Sequence, residues 1–423
     1  MRTARILPVG ACMRVWVNVF SLRLLWDDRS VHGWGNHRRN RLNVLSEDDL
    51  ELVDALQVNP RASWAAVGAA LGRSAVTVAR RWNALSAGGA AWTGATVGPD
   101  LFRGMFIELG CRPGTVDAVT AALVGMPDVL TVGRTIGEFD LYVIAIAPTG
   151  TALSALSDRM SGLDVQRSRM QLYTRVYGGP EWRLRILSRG QTAEVRPASL
   201  RPMRRAAVDE ADRALFLALS GDARRTFAEL ADELHSTPQA VRRHVERMRR
   251  RGHLHFRTDM ARPMAGWPMA GLLWLTVPEQ ELDAAGMLVG TWPENRFCAA
   301  VVSAANLVII VNLRSPDELQ DFVIRLRRKH STITVLDRRI VLRLDKIHGR
   351  VLDSAGRSQR LVPVDPWHTV PAMAQDEPHA EAGQGAPGRG SVDRLTGSSS
   401  RLRVSPIVSN SNRHQRSQPA FLG

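Results

Sequence analysis

Residues 226–251 read TFAELADELHSTPQAVRRHVERMRRR, and the spacing of their apolar side chains decides the fold class. Phe227, Leu230 and Leu234 recur at helical intervals, the pattern lapses, and Val241, Val245 and Met248 resume it. Ser236, Thr237 and Pro238 stand between the two runs. A threonine there satisfies orphan N–H groups of a new helix, and proline suits its first position because its missing N–H would be unpaired anyway. Two short helices on a tight turn make a helix-turn-helix, whose second helix fits the DNA major groove. Burying Val241, Val245 and Met248 turns Gln239, Arg242, Arg243, His244 and Arg247 outward, donors suited to base edges and phosphates. An arginine-rich face on a three-helix bundle is equally compatible with plain solvation, so the stronger argument is recurrence.

The element occurs twice. Over 45–97, Leu52, Val53 and Leu56 mark one helix behind Ser46, and Trp64, Val67 and Leu71 a second. Gly72, Arg73 and Ser74 supply the turn, Val78, Trp82 and Leu85 the third stripe, and Gly88-Gly89 the break before a small wing or linking strand at 90–97. A shift of 163 places Asp49 on Asp212, Leu52 on Leu215, Leu71 on Leu234, Ser74 on Thr237, Val78 on Val241, Arg80 on Arg243 and Gly89 on Gly252. Caps, core positions and breakers in one register mark an internal duplication. The DNA-facing positions are then Ser74, Thr77, Arg80 and Arg81 in the first copy. In the second they are Thr237, Gln239, Arg242, Arg243, His244 and Arg247. Trp82 and Val245 fall at matched places on the buried stripes and read as core.

The segment after each helix-turn-helix repeats as well. Strands at 104–110, 129–135, 139–147 and 165–177 and helices at 114–124 and 149–161 give the order β-α-β-β-α-β, a ferredoxin-like sandwich. The segments 271–277, 279–290, 296–302, 307–313, 316–330 and 332–344 repeat it at an offset of 166. Runs such as LVIIVNL (307–313) suit strands covered by helices on one face and by a partner sheet on the other. The fold class is α+β: a winged helix-turn-helix plus a ferredoxin-like sandwich, the pair duplicated. Residues 1–43 read as a disordered leader within which Met13 is an alternative start, 45–97 and 208–260 as helix-turn-helices, 101–178 and 268–347 as sandwiches. The stretch 179–207 reads as an arginine-rich linker and 354–423 as a disordered tail.

The chain has 423 residues, enough for several cored domains, with 56 Lys+Arg against 41 Asp+Glu, a formal +15 that favours a polyanionic partner. Nearly all of that basicity is arginine, so part of it can reflect genome composition. Three cysteines, Cys12, Cys111 and Cys298, make no disulfide scaffold and fit a reducing cytoplasm. Cys111 and Cys298 read as core residues. No apolar run spans a bilayer, the stretch before Cys12 is too short for a signal, and no His/Cys cluster suggests a metal. No Ser-His-Asp arrangement or phosphate loop offers itself, so no catalytic residue, metal or cofactor is expected.

The stretches LSEDDLELVDAL with LGRSAVTVARRWNAL, VDEADRALFLAL with LHSTPQAVRRHVERM, and TVGRTIGEFDLYVIAIA resemble the Lrp/AsnC (feast/famine) family of bacterial transcriptional regulators, over roughly 45–177 and 208–345. The resemblance implies a DNA-binding regulator, cytoplasmic and nucleoid-associated, that dimerises through its sandwich. Here the dimer would be an internal pseudo-dimer, with homo-oligomers as a further level. It also implies a small effector, an amino acid or another small molecule, at Arg134, Thr135, Gly137, Phe139 and Asp140. The second copy has Ser303-Ala304-Ala305-Asn306 there, lacking both the glycine and the acid. Two other readings stay open. Siroheme decarboxylases resemble this domain order and are enzymes; their site would need basic and histidine residues in the sandwich cavity, and only His330 lies in either sandwich. The third is a sensor that does not bind DNA. The regulator reading, with no enzymatic activity, is the expectation taken forward.

Overall fold

A computed structural model describes residues 44–98, 101–179 and 182–368. The expectations for 1–43 and for 369–423 lie outside the described residues. The chain opens with α1 (Glu47–Val58), α2 (Trp64–Leu71) and α3 (Ala75–Ala87). Ser46, Ser63 and Ser74 cap them, each hydroxyl accepting from the backbone N–H three residues on. Leu52, Val53, Leu56, Val67, Val78 and Trp82 meet in one core. Next come β1 (Ala91–Thr96), β2 (Arg103–Cys111), α4 (Val116–Gly125), β3 (Val129–Ile136), β4 (Leu141–Ala147), α5 (Gly150–Ser161) and β5 (Val165–Gly178). A short helix, α6 (Arg189–Val195), precedes α7 (Glu210–Ser220), α8 (Phe227–Glu233), α9 (Pro238–Arg250) and β6 (His255–Met260). The remaining elements are β7 (Met269–Thr276), α10 (Leu282–Gly290), β8 (Asn295–Val301), β9 (Leu307–Leu313), α11 (Asp317–Lys329), β10 (Thr334–Ile347), β11 (Arg350–Leu352) and β12 (Ser358–Leu361).

Within each half the strands run β3-β4-β2-β5 and β8-β9-β7-β10, the ferredoxin-like order. The two sheets do not simply stack as sandwiches. The 14-residue strands β5 and β10 each serve both sheets: β5 pairs with β2 and then with β8 from Tyr173 onward, while β10 pairs with β7 and then with β3 from Ile340. The eight strands therefore close into a barrel, which leaves neither sheet a free edge. Phe106, Tyr142, Leu272, Trp274 and Ile310 fill its interior. Helices α4 and α5 cover one sheet outside, α10 and α11 the other.

The strand expected to be a small wing or a linking strand is a joint between the halves. β1 pairs antiparallel with β6, from Ala91 opposite Met260 to Thr96 opposite His255. Reciprocal arginines reinforce the joint. Arg61 donates to the carbonyls of Ala223 and Arg225, and Arg224 to those of Pro60 and Ala62, at 2.7 and 2.9 Å. The shift of 163 that relates the two copies carries one set onto the other, so the contact is isologous within one chain. Each guanidinium also stacks on its partner copy's aromatic, Arg61 on Phe227 and Arg224 on Trp64.

Parts of the segments read as a linker and as a disordered tail pack against the rest of the protein. In the 179–207 connector, buried Asp54 accepts from the N–H groups of Ile186 and Leu187, and α6 packs on α1 and α2 through Val195. Of the expected tail, 354–368 forms β12 and a strap: Ser358 N–H donates to Gly89, Asp365 accepts from Arg213, and Trp367 lies edge-on to Phe102 and Phe216.

A buried lysine sits in the barrel wall. Lys346 is fully buried, and its ammonium donates to the carbonyls of Val124 and Met126 at the C-terminal end of α4. Burial lowers its pKa from 10.5 to about 7, with Arg360 adding repulsion. The folded value lies below the unfolded one, so protonating Lys346 opposes folding, and stability rises as pH climbs from about 7 toward about 10.5. Urea unfolding of wild type and Lys346→Gln across that window should show the wild type gaining stability with pH more steeply than the variant.

Candidate functional site

The second helix of each helix-turn-helix, α3 and α9, expected from the sequence to be the reading helix, starts at its cap and lies with one face in solvent. On α3, Ser74, Val76, Thr77 and Arg80 are exposed; on α9, Thr237, Gln239, Arg242, Arg243 and Glu246 are. Arg242 and Arg243 make no described ion pair. Ser74 and Thr237 spend their hydroxyls on the helix itself, accepting from Thr77 and Ala240 N–H.

Two of the residues assigned outward turn inward instead. Arg81 donates to Asp49 at 2.6 Å, to Asp48 at 2.7 Å and to Ser46 at 3.0 Å. At the matched position of the second copy, His244 Nε2 lies 2.6 Å from Asp212, which is wholly buried. Both side chains thus clip the reading helix to the first helix of its own bundle. Arg247 leans the same way, 3.9 Å from Asp212. The reason is geometric: these positions lie on the flank of the helix, within reach of an acid in the first turn of α1 or α7. The sequence showed that acid only as one matched pair among many. Replacing Asp212 by Ala should lower the urea-unfolding free energy by about 1–3 kcal/mol, because it strands buried partners. Asp49→Ala, at a more open site, should cost less in the same measurement.

Of the residues assigned to an effector, Arg134, Thr135 and Asp140 are engaged in contacts within the protein. Arg134 donates to Asp345 at 3.0 Å and Asp117 at 2.6 Å, and the Thr135 hydroxyl to the Phe139 carbonyl at 2.5 Å. Asp140 accepts from the N–H of Cys111 at 2.7 Å. Asn306, 166 residues on, accepts from the N–H of Val277 at 2.9 Å. The two copies therefore share a strand-end latch that needs an oxygen and no charge. Gly137 takes φ +131, and a Cβ there would come 3.2 Å from Arg339. Phe139 lies between the guanidinium groups of Arg169 and Arg339, which converge on buried Glu108 at 2.7 and 2.5 Å; Trp274 donates to the same carboxylate.

A second polar cluster was not anticipated. Asp259 accepts from Arg257 at 2.7 Å and from Arg296 at 3.4 Å, and Arg257 donates to His348 Nε2 at 2.5 Å. Burial alone would raise the Asp259 carboxyl, but the two arginines hold it below the usual carboxylate range. Burial and the surrounding cations keep His348 neutral, so Nε2 is the acceptor. A signal was available in the sequence: Arg296 stands in a strand where the first copy has Leu130. Cys111 and Cys298 are buried, and burial pushes the Cys111 thiol up to about 11.

Among known proteins, the AsnC-type helix-turn-helix domain matches residues 45–86 and 208–249. No curated protein matches the chain. Among solved structures, the siroheme decarboxylase NirDL covers 70% of this chain and 92% of its own at 12% identity and a TM-score of 0.49. AsnC of E. coli covers 33% and 94% at 24% identity and a TM-score of 0.30. A feast or famine regulatory protein from M. tuberculosis, complexed with L-methionine, covers 32% and 93% at 24% identity and a TM-score of 0.29. The expectation that the chain is not an enzyme is withdrawn on the finding of the siroheme decarboxylase among its structural neighbours. Among the described residues no helix is long and apolar enough to cross a membrane. The chain carries the AsnC-type helix-turn-helix domain twice, at 45–86 and at 208–249.

Proposed function

We propose that the protein is a sequence-specific DNA-binding regulator that grips double-stranded DNA with two unlike reading helices held as an internal pseudo-dimer. One observation carries the reading: α3 and α9 both present open polar faces, while the β1–β6 ribbon and the reciprocal Arg61 and Arg224 contacts fix one head against the other. A fixed relation between two heads is what a two-half-site operator requires. The heads are unequal. α9 contributes Gln239, Arg242 and Arg243, and α3 contributes Thr77 and Arg80, so the second head supplies more phosphate charge.

The test is binding to the intergenic DNA beside its own gene across a salt series. Arg242→Ala with Arg243→Ala should flatten the salt slope by about two units, one for each phosphate that is no longer neutralised. Arg81→Ala should leave the slope unchanged and lower only the thermal midpoint. An unchanged slope in the double variant would remove α9 from the interface. Arg61→Ala with Arg224→Ala should keep the slope yet weaken binding to DNA carrying both half-sites, measured against DNA carrying one.

A second reading has its own observation. The barrel cavity gathers Arg262, Arg296 and His348, groups suited to holding carboxylates. That favours an enzyme acting on a carboxylate; siroheme, too large for the cavity as a whole, would enter it with one carboxylate arm, and is the substrate to offer first. Loss of carboxyl groups from added siroheme, read by mass spectrometry, with no shift of the intergenic DNA, would replace the regulator reading.

A further inference from the structure

A cavity of about 110 Å³ opens where the barrel interior meets residues 96–98, the link after β1, and the turn at His348. Its volume is of the class that takes up a single aromatic ring. Most of the lining is apolar, with Phe102, Tyr142, Ile144, Val176, Phe297 and Ile310 contributing. Two guanidinium groups, those of Arg262 and Arg296, line it as well.

The charge balance at that wall does not close. Arg257, Arg262 and Arg296 are set against one described carboxylate, Asp259, and His348 is neutral. Arg257 spends itself on Asp259 and His348. Arg296 reaches Asp259 only at 3.4 Å, its Nε is buried without a hydrogen-bond partner, and Trp182 covers one face of its guanidinium at 4.2 Å. Arg262 is half-buried, with no side-chain hydrogen bond to any of the described residues. Arg296 is the buried one, and folds keep a buried, incompletely paired cation where an anion completes the set. His348 sits in the two-residue turn between β10 and β11, where positive φ at both His348 and Gly349 is what the hairpin requires, and its ring lies against Arg257.

We infer that this cavity binds a small organic monocarboxylate with an apolar body, its carboxylate between Arg262 and Arg296 and its body against Tyr142, Ile144 and Phe297. A carboxylate accepts two parallel bonds from a guanidinium, and the apolar lining favours a ring or branched chain over a bare inorganic anion. The site is distinct from the latch of Arg134, Thr135, Gly137, Phe139 and Asp140, which is filled by its own contacts. Its walls come from the segments that leave both reading heads: residues 96–98 come directly after β1, and Arg262 after β6. Occupancy therefore acts on the ribbon that spaces the heads. That regulatory half rests on the regulator reading; the binding half does not.

The experiment uses the full chain and benzoate as probe, with benzyl alcohol and inorganic phosphate as controls. Benzoate at millimolar concentration should raise the thermal midpoint and give a saturable calorimetric signal. The alcohol lacks the charge and phosphate lacks the apolar body, so neither should match it. Arg262→Gln should weaken benzoate binding about tenfold, the loss expected for one charge-assisted contact. Arg262→Lys, which keeps the charge without the fork, should fall between. If wild type shows no benzoate-specific stabilisation, or if the alcohol serves as well, the site is wrong whatever the variants do. Gel shifts of intergenic DNA with and without benzoate then separate the two halves. Benzoate binding without any DNA complex sinks the regulator reading alone, and a DNA complex without benzoate binding sinks this inference alone.

Discussion

Barrel closure is the constraint on which the architecture depends. Each half brings four strands with two unsatisfied edges, and an α/β unit of that size has no spare helix to cover them. The long strands β5 and β10 solve this by running past their own sheet and pairing with the other. Once the sheets share strands, the interior can hold Phe106 edge-on to Trp274 at 5.1 Å, and buried Glu108 can draw arginines from both halves. A buried carboxylate with several donors is weak evidence for net stability but strong evidence for register, since a slip of one residue would strand it.

The helix-turn-helix pair inherits its geometry from that closure. The strands leaving the two heads lie side by side because the barrel brings their roots together, and the β1–β6 ribbon then aligns Arg61 with the carbonyls of Ala223 and Arg225 and Arg224 with those of Pro60 and Ala62. The strap at 354–368 ties the end of the barrel to both heads, through Gly89 on one side and Arg213 on the other. A perturbation at the barrel mouth thus has two covalent routes and one hydrogen-bonded route to the reading helices.

Local rules made the bundles legible. A period of 3.6, serines and threonines at caps, and Gly72 at a left-handed turn all point the same way before any tertiary contact is considered. Strand order within each half was legible for the same reason. Sequence periodicity does not carry which edge meets which, and so the barrel, the ribbon and the folded connector were not readable. The site residues divide along the same line. Arg80, Arg242 and Arg243 point outward because the helix stripe says so. Arg81 and His244 turn inward because an acid on another helix reaches them, a contact invisible to periodicity. Arg257 and Arg262, Arg296, and His348 come from three separate segments, and only the fold brings them together.

The duplication has a consequence for how the assembly behaves on dilution. Subunits that associate as separate chains come apart as concentration falls, and both must then evolve as one sequence. Here the joint between heads is intramolecular, so its population is independent of how much protein is present. The two copies are also free to diverge, and they have: Arg81 opposite His244, Leu130 opposite Arg296, Glu108 opposite Trp274. A symmetric parent can place a functional group only in twos, whereas this chain can hold a single charged pocket on one side of its axis.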